Sequence, residues 1–179
     1  MIFLIGGIPC SGKSTLMRNL LSRLPEEPNL IEPKKLFKCQ EHGDILVVGQ
    51  YPEGETFGGT DKLSHGSIPH FRDFIDEVTP RYKHTLIEGD RYFRNEDIEW
   101  LLDNHEAKVI ILTVAIELEH ERHHSRGDTQ SEVWLQGRRT QIDNIRKNFN
   151  LMDRLIIHDN YCIEQSIKME DYIYGQIIR

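Results

Sequence analysis

No apolar run in this chain approaches the roughly 18–20 residues that a helix needs to cross a bilayer, so no membrane partner is expected. Cysteine is scarce: Cys10, Cys39 and Cys162 are odd in number and widely spaced. That excludes a CxxC zinc framework and the paired pattern of a small secreted domain, and leaves reduced thiols in a cytoplasmic protein. Linkers rich in Gly, Ser or Pro, internal repeats and low-complexity tracts are missing, so residues 1–179 are read as a single domain. A basic excess is missing too. Lys and Arg total 22 against 29 Asp and Glu, a net charge of −7, so only a local basic groove could draw this chain to nucleic acid. The opening Met1-Ile2-Phe3-Leu4-Ile5 has no basic residue before it and Gly6-Gly7 ends it at once. It reads as a buried strand rather than a signal peptide.

What is present fits a globular domain, with 38% hydrophobic and 28% charged residues. Strands are expected at 2–5, 35–39, 45–50, 84–88, 108–114 and 154–158, and helices at 13–24, 68–78, 95–104, 116–126, from about 129, and 163–178. Pro25 and Pro28 stop the first helix, Asn95 is the expected cap of the third, and Thr129-Gln130-Ser131-Glu132 fits a capping box. In the helix that follows, Leu135, Ile142, Ile145 and Phe149 keep helical spacing. Strands alternating with helices predict an α/β fold: a mainly parallel five-stranded sheet flanked by helices, with an inserted β-hairpin and a helical lid. The hairpin and a glycine-rich loop occupy 34–66, and the lid 116–148.

Gly7-Ile8-Pro9-Cys10-Ser11-Gly12-Lys13-Ser14 matches G-x-x-x-x-G-K-[ST] at every fixed position, between an apolar strand and a leucine-striped helix. Two glycines free the backbone so that loop amides turn inward toward phosphate oxygens, assisted by the positive end of the helix. Lys13 brings charge to the β- and γ-phosphates, Ser14 offers a hydroxyl to Mg²⁺, and Thr15 stands beside it. The pattern predicts ATP and Mg²⁺. The guanine element N/T-K-x-D and an LSGGQ-like signature are both absent, and the chain is short for a motor with a separate lid domain. A small kinase needs a phosphate loop, an acidic residue in an acceptor pocket and an arginine-bearing lid, and each has candidates here.

Asp61 lies in the long loop 51–66. It is either the carboxylate that takes a hydroxyl proton or a solvated turn aspartate. Glu88-Gly89-Asp90-Arg91 closes an apolar strand whose C-terminal end should face the ligand crevice. One of Glu88 and Asp90 is expected to hold Mg²⁺ through water, the other being a cap or a rival base, and Arg91 is a candidate for a substrate phosphate. Arg122 and Arg126 share a helical face, and Arg138 and Arg139 follow beyond Gly127. Such guanidinium groups can bind the charge that spreads over a transferring phosphoryl group. His120, His123 and His124 read as exposed helix residues rather than a metal cluster.

The loop GIPCSGKST resembles the G-x-P-x-S-G-K-[ST] form of polynucleotide kinases and related small phosphotransferases. YPEGETFGGTDKLS and SEVWLQGRRTQI look like elements of bacteriophage P-loop kinases of the 5-hydroxymethyluracil DNA kinase type. The resemblance covers most of residues 2–146 and departs at His65-Gly66-Ser67, where a more apolar start is expected. It implies a P-loop kinase fold, ATP as donor, and as acceptor the hydroxymethyl group of a modified pyrimidine in DNA. It further implies Lys13, Asp61 and Arg138 as catalytic residues, with Asp61, Lys62, Ser64 and Arg91 toward the acceptor. Lys34, Lys35 and Lys38, with Tyr51 and Phe57 nearby, are the candidate groove for DNA. The alternatives are a small-molecule nucleoside or nucleotide kinase, and a nucleotide-binding module without transfer activity.

Overall fold

Ile2 and Leu4 belong to the core on one face of a sheet, and Phe3 and Ile5 to the core on the other; all four are buried. A strand buried on both faces belongs in the middle of a parallel sheet with helices on each side. The computed structural model has that arrangement and describes residues 1–55, 58–125, 127 and 129–178. The strands are β1 (Ile2–Gly7), β2 (Asn29–Lys34), β3 (Phe37–His42), β4 (Ile45–Val48), β5 (His84–Glu88), β6 (Ala107–Thr113) and β7 (Leu155–Asp159). They lie in the order β2-β3-β4-β5-β1-β6-β7. From β4 to β7 every neighbouring pair is parallel, while β2 and β3 add on antiparallel.

Two layers of helix cover the sheet. On one face α1 (Lys13–Ser22) and α6 (Ile163–Ile177) bring Leu16, Met17, Leu20, Met169 and Ile173 against Phe3 and Ile5. On the other, α2 (Phe71–Val78), α3 (Asn95–Asn104) and α5 (Glu132–Arg146) bring Phe71, Phe74, Ile98, Leu101, Ile142 and Ile145 against Ile2 and Leu4. Phe37 stacks on Phe74 at 4.2 Å and Phe71 on Tyr92 at 4.3 Å, which anchors the antiparallel extension to the main core. Helix α4 (Ile116–Ser125) precedes α5. Among the described residues no helix is long and apolar enough to cross a membrane.

The sheet has seven strands rather than the expected five, and the hairpin is part of it rather than an insertion beside it. β2 escapes a pattern reading because it is largely exposed and carries Pro33. An edge strand tolerates a proline, and here the register shifts between Ile31 and Lys34. Helix α1 ends at Ser22, before either proline. Arg94, not Asn95, occupies the cap position of α3. The capping box is displaced: Ser131 caps α5, its hydroxyl accepting from the Trp134 amide at 3.3 Å. Because α5 stops at Arg146, Phe149 leaves the helix and is 86% exposed.

Candidate active site

Strand order reverses around β1, so the C-terminal ends of β1, β4, β5, β6 and β7 open onto one crevice. The turn after β1 shapes its floor. Gly12 caps α1 with φ 90°, and a Cβ there would meet Asn160 Nδ2 at 2.5 Å; one at Gly7 would meet the Leu112 carbonyl oxygen at 2.1 Å. Only glycine fits either position. No side chain caps α1 and no acid stands in its first turn, so its first amides and positive end remain for an anion. Asn160 Nδ2 donates to the Ser11 carbonyl at 2.6 Å, and Arg122 Nη1 donates to the carbonyls of Cys10 at 3.2 Å and Asn160 at 3.1 Å. Lys13 Nζ donates to the carbonyls of Gly7 and Ile8, both at 3.0 Å, and lies 3.8 Å from Asp90.

Both acids after β5 reach this floor. Glu88 is fully enclosed, accepting from the Tyr51 hydroxyl at 2.7 Å through Oε2 and from Ser14 at 3.4 Å through Oε1. Burial pushes its carboxyl up to about 7; Asp61 and Asp90 act in the same direction, against Lys13 and the Tyr51 bond. A carboxyl raised by folding stabilises the fold fully below its unfolded value, 4.5, and that contribution is lost as pH climbs through about 7. Glu88→Gln keeps an acceptor for Tyr51 and does not titrate. It is expected to raise Tm at pH 8 and to leave it nearly unchanged at pH 5, in thermal unfolding without Mg²⁺. Equal shifts at the two pH values would contradict burial as the cause.

Asp61 is brought in by a backbone that passes very close to this pair. Gly59 has φ 62°, and a Cβ on it would meet the Glu88 carbonyl at 2.6 Å and the Tyr51 hydroxyl at 2.7 Å. The Gly59 amide donates to the Gln50 carbonyl at 3.0 Å, and Arg91 clamps the next turn, Nε to the Thr60 carbonyl at 2.8 Å and Nη2 to that of Asp61 at 3.3 Å. The Asp61 side chain opens to the cleft, yet its walls desolvate it enough to raise its carboxyl. Asp90 adds to the rise, and Lys13, Arg91 and Arg138 oppose it.

The cleft measures about 770 Å³ and brings together Pro9, Cys10, Ser11, Gly12, Lys13 and Ser14 with Asp61, Glu88, Asp90, Arg91 and Arg138. No family model matches the chain. Nor does any curated protein.

Several expected residues stand elsewhere. Gly7, Ile8 and Thr15 do not line the cleft, and neither does Arg122, whose guanidinium braces the loop from β7's exit instead. Arg126 and Phe57 lie outside the described residues. Lys62 pairs with Glu55, and Ser64 accepts from the Gly66 amide at 3.1 Å; both face a smaller groove of about 340 Å³ with Lys38. Tyr51 cannot stack on a base, because it is buried and its hydroxyl is committed to Glu88. Lys34 is paired with Glu77 at 2.8 Å. Arg139 is taken up by Glu119 at 2.7 Å and Glu132 at 2.6 Å, which ties α4 to α5. Arg94 lines the cleft without any sequence signal of its own, and His65, Trp134 and Gln141, which sequence reasoning gave no role of their own, line it too.

The cradle fits a nucleoside triphosphate: glycines where a Cβ would clash, an uncapped helix end, and a lysine aimed at its own loop carbonyls. Among the described residues no three His, Cys, Asp or Glu side chains gather as a metal site. Mg²⁺ bound to a triphosphate needs only one or two protein ligands, and Ser14 with Glu88 or Asp90 fits that demand.

Proposed function

We propose that the protein is an ATP- and Mg²⁺-dependent kinase of the P-loop kinase fold, acting on the hydroxymethyl group of a modified pyrimidine, 5-hydroxymethyluracil, in DNA. One observation carries the reading: a single cleft unites the uncapped glycine-rich loop, Lys13, Asp61 and Arg138. The loop amides and Lys13 orient the donor's phosphates, and Ser14 with Glu88 or Asp90 holds the metal. Mg²⁺, when bound, supplies charge neutralisation on the phosphate oxygens. Asp61 takes the acceptor's hydroxyl proton as its oxygen bonds to the γ-phosphorus and ADP leaves. The choice of acceptor rests on the resemblance of the Gly59–Ser64 and Ser131–Ile142 segments to hydroxymethyluracil DNA kinases. Against a DNA acceptor, the burial of Tyr51 and the pairing of Lys34 weaken the hairpin as a DNA groove. That observation favours a free nucleotide as the second reading.

The test is transfer of labelled phosphate from ATP to oligonucleotides carrying 5-hydroxymethyluracil, 5-hydroxymethylcytosine or thymine, in parallel with the free nucleotides. Label on the hydroxymethyluracil strand is expected. Label on free nucleotides alone would replace the first reading by the second, and ATP binding without any transfer would overturn both.

Arg138 has no acidic partner among the described residues; its guanidinium lies 5.6 Å from the Trp134 ring and acts on Asp61. Arg138→Ala is expected to lower kcat by more than tenfold while ATP affinity changes severalfold at most, because such a group acts on charge that develops in the transition state. Unchanged kcat with only a raised KM would place Arg138 outside the chemistry.

A further inference from the structure

The cleft extends well past the glycine-rich loop, and its far end has a composition of its own. Trp134 lies on its wall and remains 39% exposed, much for a ring of that size on a cleft wall. Arg138 sits over this ring at 5.6 Å, and the partly buried Ile68 also lines the space. Two further guanidinium groups line the same cleft. Arg91 is held by two backbone carbonyls through Nε and Nη2, and its Nη1 is buried with no hydrogen-bond partner. Arg94 is exposed and has no acidic partner among the described residues. A chain of net charge −7 thus gathers Arg91, Arg94 and Arg138 in one cleft. Lys13 and the helix end already serve one set of phosphates there.

We infer that this end of the cleft is an acceptor subsite for a pyrimidine nucleotide, not a bare nucleoside. Trp134 is the plate on which the base stacks, and Arg91 Nη1 with Arg94 takes the acceptor's own phosphate. The inference rests on the kinase reading for the word acceptor, but the subsite is a matter of binding alone. An aromatic face stacks any base and so gives affinity without choosing among bases. A guanidinium with a desolvated, unpaired N–H gains most from a phosphate oxygen. Asp61, whose turn is clamped by the same Arg91, lines this cleft with Lys13 and Trp134, within which a hydroxyl on that base would need its proton taken.

Trp134 fluorescence tests this without any turnover. The emission of wild type minus that of Trp134→Phe isolates Trp134 from Trp100, which packs against His105 and Arg72. The probes are thymidine, thymidine 5′-monophosphate and a short single-stranded oligothymidylate, none bearing a hydroxymethyl group, with Mg²⁺ and a non-hydrolysable ATP analogue at saturation. Quenching by the monophosphate or the oligonucleotide is expected, weakened roughly tenfold or more in Trp134→Ala, the scale of one lost base stack. Arg94→Ala should weaken both nucleotides but not thymidine, with partial rescue by Arg94→Lys. Equal affinity for the two nucleotides would assign a single nucleotide unit; much tighter oligonucleotide binding would assign a strand running on beyond the cleft. Thymidine binding as tightly as its monophosphate, nucleotide binding without change in Trp134 emission, or no binding at all would overturn the subsite. Transfer failing on every hydroxymethylated acceptor while quenching persists would overturn the kinase reading and leave the subsite standing.

Discussion

Lys13→Ala is expected to lower phosphoryl transfer by ~10²-fold or more at saturating ATP, the usual cost of removing a preorganised charge from a transition state. The side chain is 11% exposed and occupies the centre of the site's charge balance. It lowers the pKa of both Asp61 and Glu88, so its loss raises both carboxyls and makes the base less available as well. Two loop carbonyls and Asp90 lose their cation at the same time. Water reaches them through the open cleft, so the melting temperature should fall by only a few degrees, corresponding to about 1 kcal/mol in a domain of this size. Single-turnover transfer and a thermal melt on the same preparation separate the two effects. A variant keeping more than about a tenth of the rate would remove Lys13 from the chemistry.

Asp61→Asn should leave nucleotide binding intact and slow transfer by roughly 10²–10⁴-fold, the range for a lost general base. The amide keeps the shape of the turn clamped by Arg91. Asp90 is the competing base: it lies 3.8 Å from Lys13, while Asp61 is acted on by Lys13, Arg91 and Arg138 together. The acid limb of the rate profile gives a second discrimination. Asp90 raises the Asp61 carboxyl, so Asp90→Asn should move that limb to lower pH while activity survives at high Mg²⁺. If Asp61→Asn runs near the wild-type rate and Asp90→Asn is dead, Asp90 is the base and Asp61 only positions the loop.

The sequence made the loop Gly7–Ser14 plain because its residue types are constrained one by one: glycine where a carbonyl or an amide presses in, lysine and serine where charge and hydroxyl must point. The central strands were equally legible, since burial on both faces leaves an unbroken apolar run such as Val109–Leu112. β2 was not, because an edge strand with a proline needs no apolar pattern. The roles of Arg122, Tyr51 and Arg139 were hidden for a different reason. Each meets partners that lie far off along the chain: Arg122 the exit of β7, Tyr51 the end of β5, Arg139 the preceding helix. Spacing along a sequence carries no trace of such meetings. Arg138 and Arg139 are adjacent in sequence and point to different fates, one toward the cleft and the other into a closed ion-pair knot.

The bond from Asn160 to the Ser11 carbonyl spans 149 positions of chain, and it sets an order in time. β1 emerges from the ribosome with the glycine-rich loop directly behind it, but its pairing partners β5 and β6 begin only at His84 and Ala107. At about 5–20 residues per second, the nascent loop waits many seconds before Asn160 and the carbonyl contacts of Arg122 can fix its shape. A synthesis interrupted between residues 15 and 159 therefore leaves the full Gly7–Ser14 motif without the Asn160 bond that holds it in the folded protein.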